Sequence, residues 1–394
     1  MERIGIYGGS FNPPHIGHME AARRAISELK LDQLLLIPAG QAPHKKTPEG
    51  TPAPEHRLEM LRIATQGMEK VRVCDLEIRR DGPSYTYETV EKLRELYPEA
   101  ELILLMGTDM FLSFMTWNQP ERILQNASLG VFCRGLRKEK DAIHAKKAEM
   151  EAFGAKVVLV DNPVIEVSST QMRRMLVFRF GKFLLPRGVD DYIRQHKLYG
   201  TDRDYRNLPM EELERVAIPL HDPKRVKHVL GCRDTAARLA KIWGVDPEIA
   251  ARAGLLHDIT KALDGPLQLT LCDEYGTILD DFSAKYPKTL HALTGSLVAE
   301  RIFGEPPEIV EAIRSHTTGK ANMTTLEKII YVADYMEPNR DFPGVEKLRQ
   351  LAETDLDAAL KCGLEQTLDH LKNQGSRVSP ETRDALAWLN ENGY

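Results

Sequence analysis

The chain has 394 residues, a net charge of −5, 42% apolar residues and 28% charged ones. That length favours two domains, or three, over one, with apolar content ample for two cores. The small negative charge, with no long basic run, excludes an extended nucleic-acid surface, and no uncharged apolar stretch is long enough to span a bilayer.

In chain order, the first two hundred residues alternate short apolar runs with amphipathic stretches. The predicted strands are Arg3–Tyr7, Leu34–Pro38, Val71–Asp75, Glu101–Met106, Ser128–Cys133 and Lys156–Val160. Helical patterns fall at Met19–Leu29, Glu55–Thr65, Thr86–Leu96 and Ala142–Phe153. This alternation predicts a Rossmann-like α/β domain, a doubly wound parallel sheet covered on both faces. Residues 201–209 are polar and charged, a connector or a surface loop. From Glu211 onward period-two alternation disappears. Helical patterns cover Pro223–Trp243, Pro247–Leu263, Leu290–Phe303, Pro307–Ser315, Leu326–Met336, Leu351–Leu371 and Pro380–Leu389, with Gly and Pro at several ends. The expected organisation is an α/β domain over 1–200, a connector over 201–212 and an all-α domain over 213–394. Five scattered cysteines without metal-type spacing, and no signal-peptide pattern, point to reduced thiols in a cytoplasmic protein.

The segment from Gly8 to His18 reads GGSFNPPHIGH, directly after the first strand and before the first helix. Gly8 and Gly9 allow close approach of a ligand. The helix N-terminus offers free N–H groups and positive potential, which suits a phosphate. His15 and His18 can donate to oxygens of a reacting phosphate. Ser168-Ser169-Thr170-Gln171-Met172-Arg173 opens another helical pattern about one domain length later. Alone it reads as an N-cap followed by a surface arginine.

Together the two segments resemble the HxGH nucleotidyltransferases, with Asn12 standing where that family usually has Asp. Within it, Ala39 to Lys45, Pro83 to Thr89, Met106 to Asp109 and the tail Val189 to Tyr199 are similar to the nicotinate-nucleotide adenylyltransferases. The resemblance implies ATP, nicotinic acid mononucleotide and Mg²⁺, with adenylyl transfer by in-line attack. His15 and His18 are assigned to the ATP phosphates, with Lys45 and Arg173 as cationic partners and Ser169 and Thr170 donating at a helix start. Gly8, Gly9, Ser10, Phe11 and Gly107 belong to the nucleotide-binding turns. Trp117 is expected to stack on the pyridine ring, the backbone near Tyr85 and Thr86 to hold its carboxylate, and Asp109 to lie near a ribose hydroxyl. On the residues alone, Trp117 serves equally as a core plug, Lys45 as a solvated charge and Asp109 as a helix cap. A preference for nicotinamide mononucleotide stays open.

In the helical half, Leu255-Leu256-His257-Asp258-Ile259 places His beside Asp in an apolar run. Such a carboxylate needs a metal or a partner, and a buried His–Asp pair joining two helices satisfies that equally well. His228, His291, His316 and Asp334 complete the order H…HD…H…H…D, which resembles the HD superfamily of metal-dependent phosphohydrolases. That resemblance implies two divalent ions, one on His228, His257, Asp258 and Asp334, the other on Asp258, His291 and His316. The mixed donors suit iron, manganese, cobalt or zinc and do not pick among them; iron is the metal expected, with manganese, cobalt or zinc as alternatives. Lys261, one turn on, is either a phosphate ligand or a surface lysine. The flanks of His228, His316 and Asp334 are similar to a bacterial branch that cleaves diadenosine tetraphosphate into two ADP. Another nucleotide substrate (an alarmone or a monophosphate) and a non-catalytic nucleotide-binding role are the alternatives. The expected partners are small nucleotides, with no nucleic acid and no membrane; self-association stays open.

Overall fold

The computed structural model describes residues 1–41, 48, 50–133, 137–162 and 167–394; for 137–140 it describes the helix path only. The chain divides into two compact units, Met1–Asp202 and Arg203–Tyr394.

The first unit is built on six parallel strands: β1 (Arg3–Gly9), β2 (Gln33–Pro38), β3 (Val71–Val73), β4 (Glu101–Gly107), β5 (Ser128–Cys133) and β6 (Val157–Asp161). Their order is β3-β2-β1-β4-β5-β6. Strand alternation sorts the apolar side chains to two faces. Ile4, Ile6, Leu35, Ile37, Leu102 and Leu104 pack on one side, and Leu34, Leu36, Ile103 and Leu105 on the other. Burial on both faces is why these strands read as nearly unbroken apolar runs. Gly5 and Gly130 sit where a Cβ would lie 2.6 Å from Leu31 or Leu105. β3 is shorter than its sequence pattern because pairing ends where Leu36 accepts from Cys74 N. The sheet reverses its winding between β1 and β4, so their carboxyl ends form the crevice where such folds bind ligands.

The second unit is helical; among its described residues no strand occurs. Its helices include Met210–Ala217, Val226–Trp243, Pro247–Leu256, Leu290–Arg301, Pro307–Ser315, Thr325–Met336, Val345–Thr354, Leu356–Asn373 and Pro380–Glu391. Two expectations change. The helical pattern Pro247–Leu263 ends as a helix at Leu256, because the His257 ring takes the Gly254 carbonyl (Nδ1 to O, 2.7 Å) and the chain continues in i→i−3 turns. The run Leu351–Leu371 is two helices, since Asp355 leaves helical geometry and caps Ala358 N through its side chain. The span 201–212, expected as a connector or a surface loop, packs in part onto the second unit. Tyr205 is buried beside Phe303, Asn207 N donates to Phe303 O, and a helix begins at Met210. No helix among the described residues is long and apolar enough to cross a membrane.

Candidate functional site

In the first unit, β1 runs straight into the glycine turn. Gly8 faces open space, while a Cβ on Gly9 would press on the Phe11 ring at 3.2 Å. Phe11, expected at the ligand, has its ring fully buried in the core, so only its backbone is left for binding. His15 is the N-cap of the helix Ile16–Glu28. Its backbone N–H donates to His18 Nδ1 at 3.2 Å. In the neutral ring this leaves the proton on Nε2, a donor for an outside oxygen. The two rings lie 3.7 Å apart between centroids. Burial pushes the His15 imidazole down to about 4; burial and then His15 hold His18 well below its ordinary value. Both are therefore neutral near neutrality. A Cβ on Gly17 would sit 3.1 Å from His15 Nδ1, so that ring needs glycine beside it.

A cavity of about 640 Å³ opens alongside, lined by Ser10, Asn12, Gly40, Arg57, Ser169, Thr170 and Arg173, among others. Arg173 donates to Asn12 O (2.8 Å) and Thr170 Oγ1 (3.1 Å), and Ser169 Oγ donates to Pro13 O (3.0 Å). The late serine-rich helix start is thereby tied to the glycine turn. Arg57, which the sequence reading passed over, is 5% exposed and donates to Ser10 O, Ala39 O and Gly40 O. Neither arginine has a carboxylate partner among the described residues, and burial lowers both guanidinium pKa values. One buried and one half-buried cation facing a cavity suit a polyanion. The signal for Arg57 was its phase, in register with Leu58 and Leu61 on the buried face of its helix.

Asn12 is a structural amide. Its Oδ1 accepts from Tyr199 OH at 2.8 Å and its Nδ2 donates to Thr51 Oγ1 at 3.0 Å. Gly107 ends β4, and Asp109 is exposed in the first turn of Thr108–Leu112. Trp117 packs on Phe114 (5.3 Å) yet keeps part of its surface open. Tyr85 and Thr86 are partly exposed at the start of Thr86–Leu96; Gln41 O accepts from Ser84 N just before them. Lys45 lies outside the described residues.

In the second unit, six residues from five helical segments meet. Asp258 lies among the four histidines. Its Oδ2 faces His257 Nε2 (3.5 Å) and His228 Nε2 (3.7 Å); its Oδ1 faces His291 Nε2 (3.5 Å) and His316 Nε2 (3.7 Å). Asp334 Oδ1 lies 3.2 Å from His228 Nε2 and 3.8 Å from His257 Nε2. Two three-residue groups, His228–His257–Asp334 and His257–Asp258–His316, have ligand atoms within 4.8 Å of one another. His228 Nε2 and His257 Nε2 are buried without a hydrogen-bond partner. Burial alone would raise the Asp258 and Asp334 carboxyls, but the surrounding histidines hold both well below the usual range. Orphaned imidazole nitrogens around two ionised carboxylates fit divalent cations. Cations rim the cluster: Arg225 pairs with Asp258, Arg340 with Asp334 (2.6 Å), and Lys261 Nζ lies 2.9 Å from His291 Nε2. Arg225, Arg340 and Thr317 Oγ1, 3.0 Å from two of the rings, were not singled out from sequence.

Residues 6–175 match the Cytidylyltransferase-like family and residues 225–339 the HD domain family. The probable nicotinate-nucleotide adenylyltransferase of Thermomicrobium roseum is 39% identical over 203 residues, covering 51% of this chain and 93% of that protein. The probable enzyme of the same name from Carboxydothermus hydrogenoformans is 36% identical, covering 50% and 98%. A Clostridium acetobutylicum crystal structure, described as a "predicted HD superfamily hydrolase involved in NAD metabolism", is 37% identical and covers 47% of this chain and 98% of that one, with a TM-score of 0.46.

Proposed function

Through its first unit the chain belongs to the nicotinate-nucleotide adenylyltransferase family, and from that premise we propose a bifunctional enzyme whose HD unit is a nucleotide hydrolase. In the first reaction a phosphate oxygen of nicotinic acid mononucleotide attacks the α-phosphorus of ATP. The bond to the β-phosphate breaks, and pyrophosphate leaves with the electron pair. The protein contributes positioning and charge. His18 donates from Nε2 to the α-phosphate and His15 stands beside it. Ser169, Thr170, Arg173 and Lys45 hold the leaving phosphates, and Arg57 fixes the turn that carries them. Mg²⁺ enters with ATP and neutralises phosphate charge. Trp117, Tyr85, Thr86 and Asp109 take the mononucleotide.

His228, His257, Asp258 and Asp334 would hold one divalent ion of the HD unit, and Asp258, His291 and His316 the other. Bound there, paired ions supply Lewis acidity for phosphate hydrolysis. Mixed nitrogen and oxygen donors suit iron, manganese, cobalt or zinc. Lys261, Arg225 and Arg340 ring the centre with positive charge for phosphates on either side of the one attacked. The substrate we assign is diadenosine tetraphosphate. Water adds to an inner phosphorus, the central bridging P–O bond breaks, and two ADP leave. The observation that carries this reading is Asp258, with one oxygen toward each pair of histidines. Turnover of diadenosine tetraphosphate, a guanosine alarmone and a nucleoside monophosphate by metal-loaded protein tests it. The tetraphosphate should have the highest kcat/KM with ADP as its nucleotide product; preference for either competitor overturns the assignment.

A further inference from the structure

The four histidines are not anchored alike. His257, His291 and His316 turn Nδ1 to main-chain carbonyls, of Gly254 (2.7 Å), Lys288 (3.1 Å) and Ile313 (2.6 Å). His228 instead turns Nδ1 to the Glu337 carboxylate, 3.1 Å from Oε1. Glu337 is 1% exposed, and its Oε2 accepts from Asn339 N (2.7 Å) and Asn339 Nδ2 (2.8 Å). Among the described residues His228 makes its one close ion pair, and the Arg340 guanidinium acts on it from farther off. Gly231, one turn beyond His228, makes room for it: a Cβ there would lie 2.4 Å from Glu337 Oε2. A buried carboxylate is costly to keep charged without compensation. Here two donations from Asn339 hold Oε2 and the space left by Gly231 admits it, while Oε1 faces the His228 ring.

Cations stand on both sides of the cluster: Arg340 on Asp334 and Arg225 on Asp258 meet carboxylates, whereas on the far side the cation meets an imidazole. Lys261 Nζ lies 2.9–3.1 Å from the His291 ring nitrogens. A carboxylate behind a ligating imidazole fixes the Nδ1–H tautomer and raises the basicity of Nε2, whereas an ammonium beside one opposes a cation. Resting on the paired-metal reading above, we propose that Glu337 is a positioning residue that makes the His228–Asp334 side the tighter of the two metal positions, filled first and emptied last.

Metal-stripped full-length protein titrated with Mn²⁺ and followed by equilibrium dialysis and atomic absorption tests this. Wild type should bind in two separated steps. Glu337→Gln, which keeps an acceptor and loses the charge, should weaken the tighter step ~10- to 100-fold and leave the weaker one in place. Gly231→Ala should do the same by displacing the carboxylate, with helical content serving as the folding check. If either variant fails to fold, wild-type crystals given one equivalent of Mn²⁺ decide. Anomalous density is expected beside His228 and Asp334. Density beside His291 and His316, or unchanged affinities in folded Glu337→Gln, overturns the inference. Wild type that binds no Mn²⁺ at all would instead overturn the metal-centre reading on which the inference rests.

Discussion

At His18 the backbone N–H of His15 occupies Nδ1 and leaves Nε2 to donate. On the adenylyl-transfer reading proposed above, replacing His18 by Ala removes a donor to charge that develops in the transition state. The kcat for adenylyl transfer should fall ~10²- to 10³-fold, with a much smaller change in the KM for ATP. His15 adds a pH dependence. Its folded value of about 4 lies below the unfolded 6.5, so unfolding takes up a proton between the two. Stability from this group is present above the unfolded value and is lost as pH falls toward the folded one. Urea unfolding should show wild type losing about 2 kcal/mol more than His15→Gln between about pH 7 and about pH 5. Equal losses would mean the imidazole is not held neutral. Residue identity also marks what the sequence left unread. Glu337 and Arg57 are charges whose buried partners lie 109 and 47 positions away, a pairing that no local pattern carries.

At the scale of elements, the strands were the most legible part. Parallel strands buried on both faces leave short apolar runs bounded by Gly, Pro and charge, and all six strands match their patterns within two residues at each end. Helix ends were less legible where a side chain ended the helix: Asp355 looks like one more polar surface residue until it caps a new one. The histidine cluster was readable as a set of residue types in order, but its two-sided geometry around Asp258 comes only from the fold. Packing between elements yields a further prediction. A Cβ on Gly254 would sit 3.0 Å from Arg233 Cα and 3.1 Å from Arg233 N, main-chain atoms that cannot turn aside. Gly254→Ala should separate the helices Val226–Trp243 and Pro247–Leu256, which carry His228 and adjoin His257. Chemical denaturation should show the second unit destabilised by roughly 1–3 kcal/mol. An unchanged midpoint would contradict that contact.

At the scale of the whole chain, the reading proposed above gives one polypeptide two nucleotide chemistries, each with its site residues inside one unit. His257→Ala should therefore abolish hydrolysis with adenylyl transfer within about twofold of wild type, and His18→Ala should do the reverse; independent sites behave additively. The pairing also suggests why they are joined. If ATP takes the place of the mononucleotide as acceptor, its γ-phosphate oxygen attacks a second ATP, releasing pyrophosphate and diadenosine tetraphosphate, which the HD unit then removes. With ATP alone, His257→Ala protein should accumulate that by-product, detectable by anion-exchange chromatography; none accumulating would remove the rationale.

The most direct measurement is metal content and nucleotide products from one sample of intact protein, loaded stepwise with Mn²⁺ and given diadenosine tetraphosphate. ADP should be the sole nucleotide product, its rate should rise as the second equivalent binds, and His257→Ala should abolish it. Full hydrolysis without metal, or none with both equivalents bound, would contradict the paired-metal hydrolase.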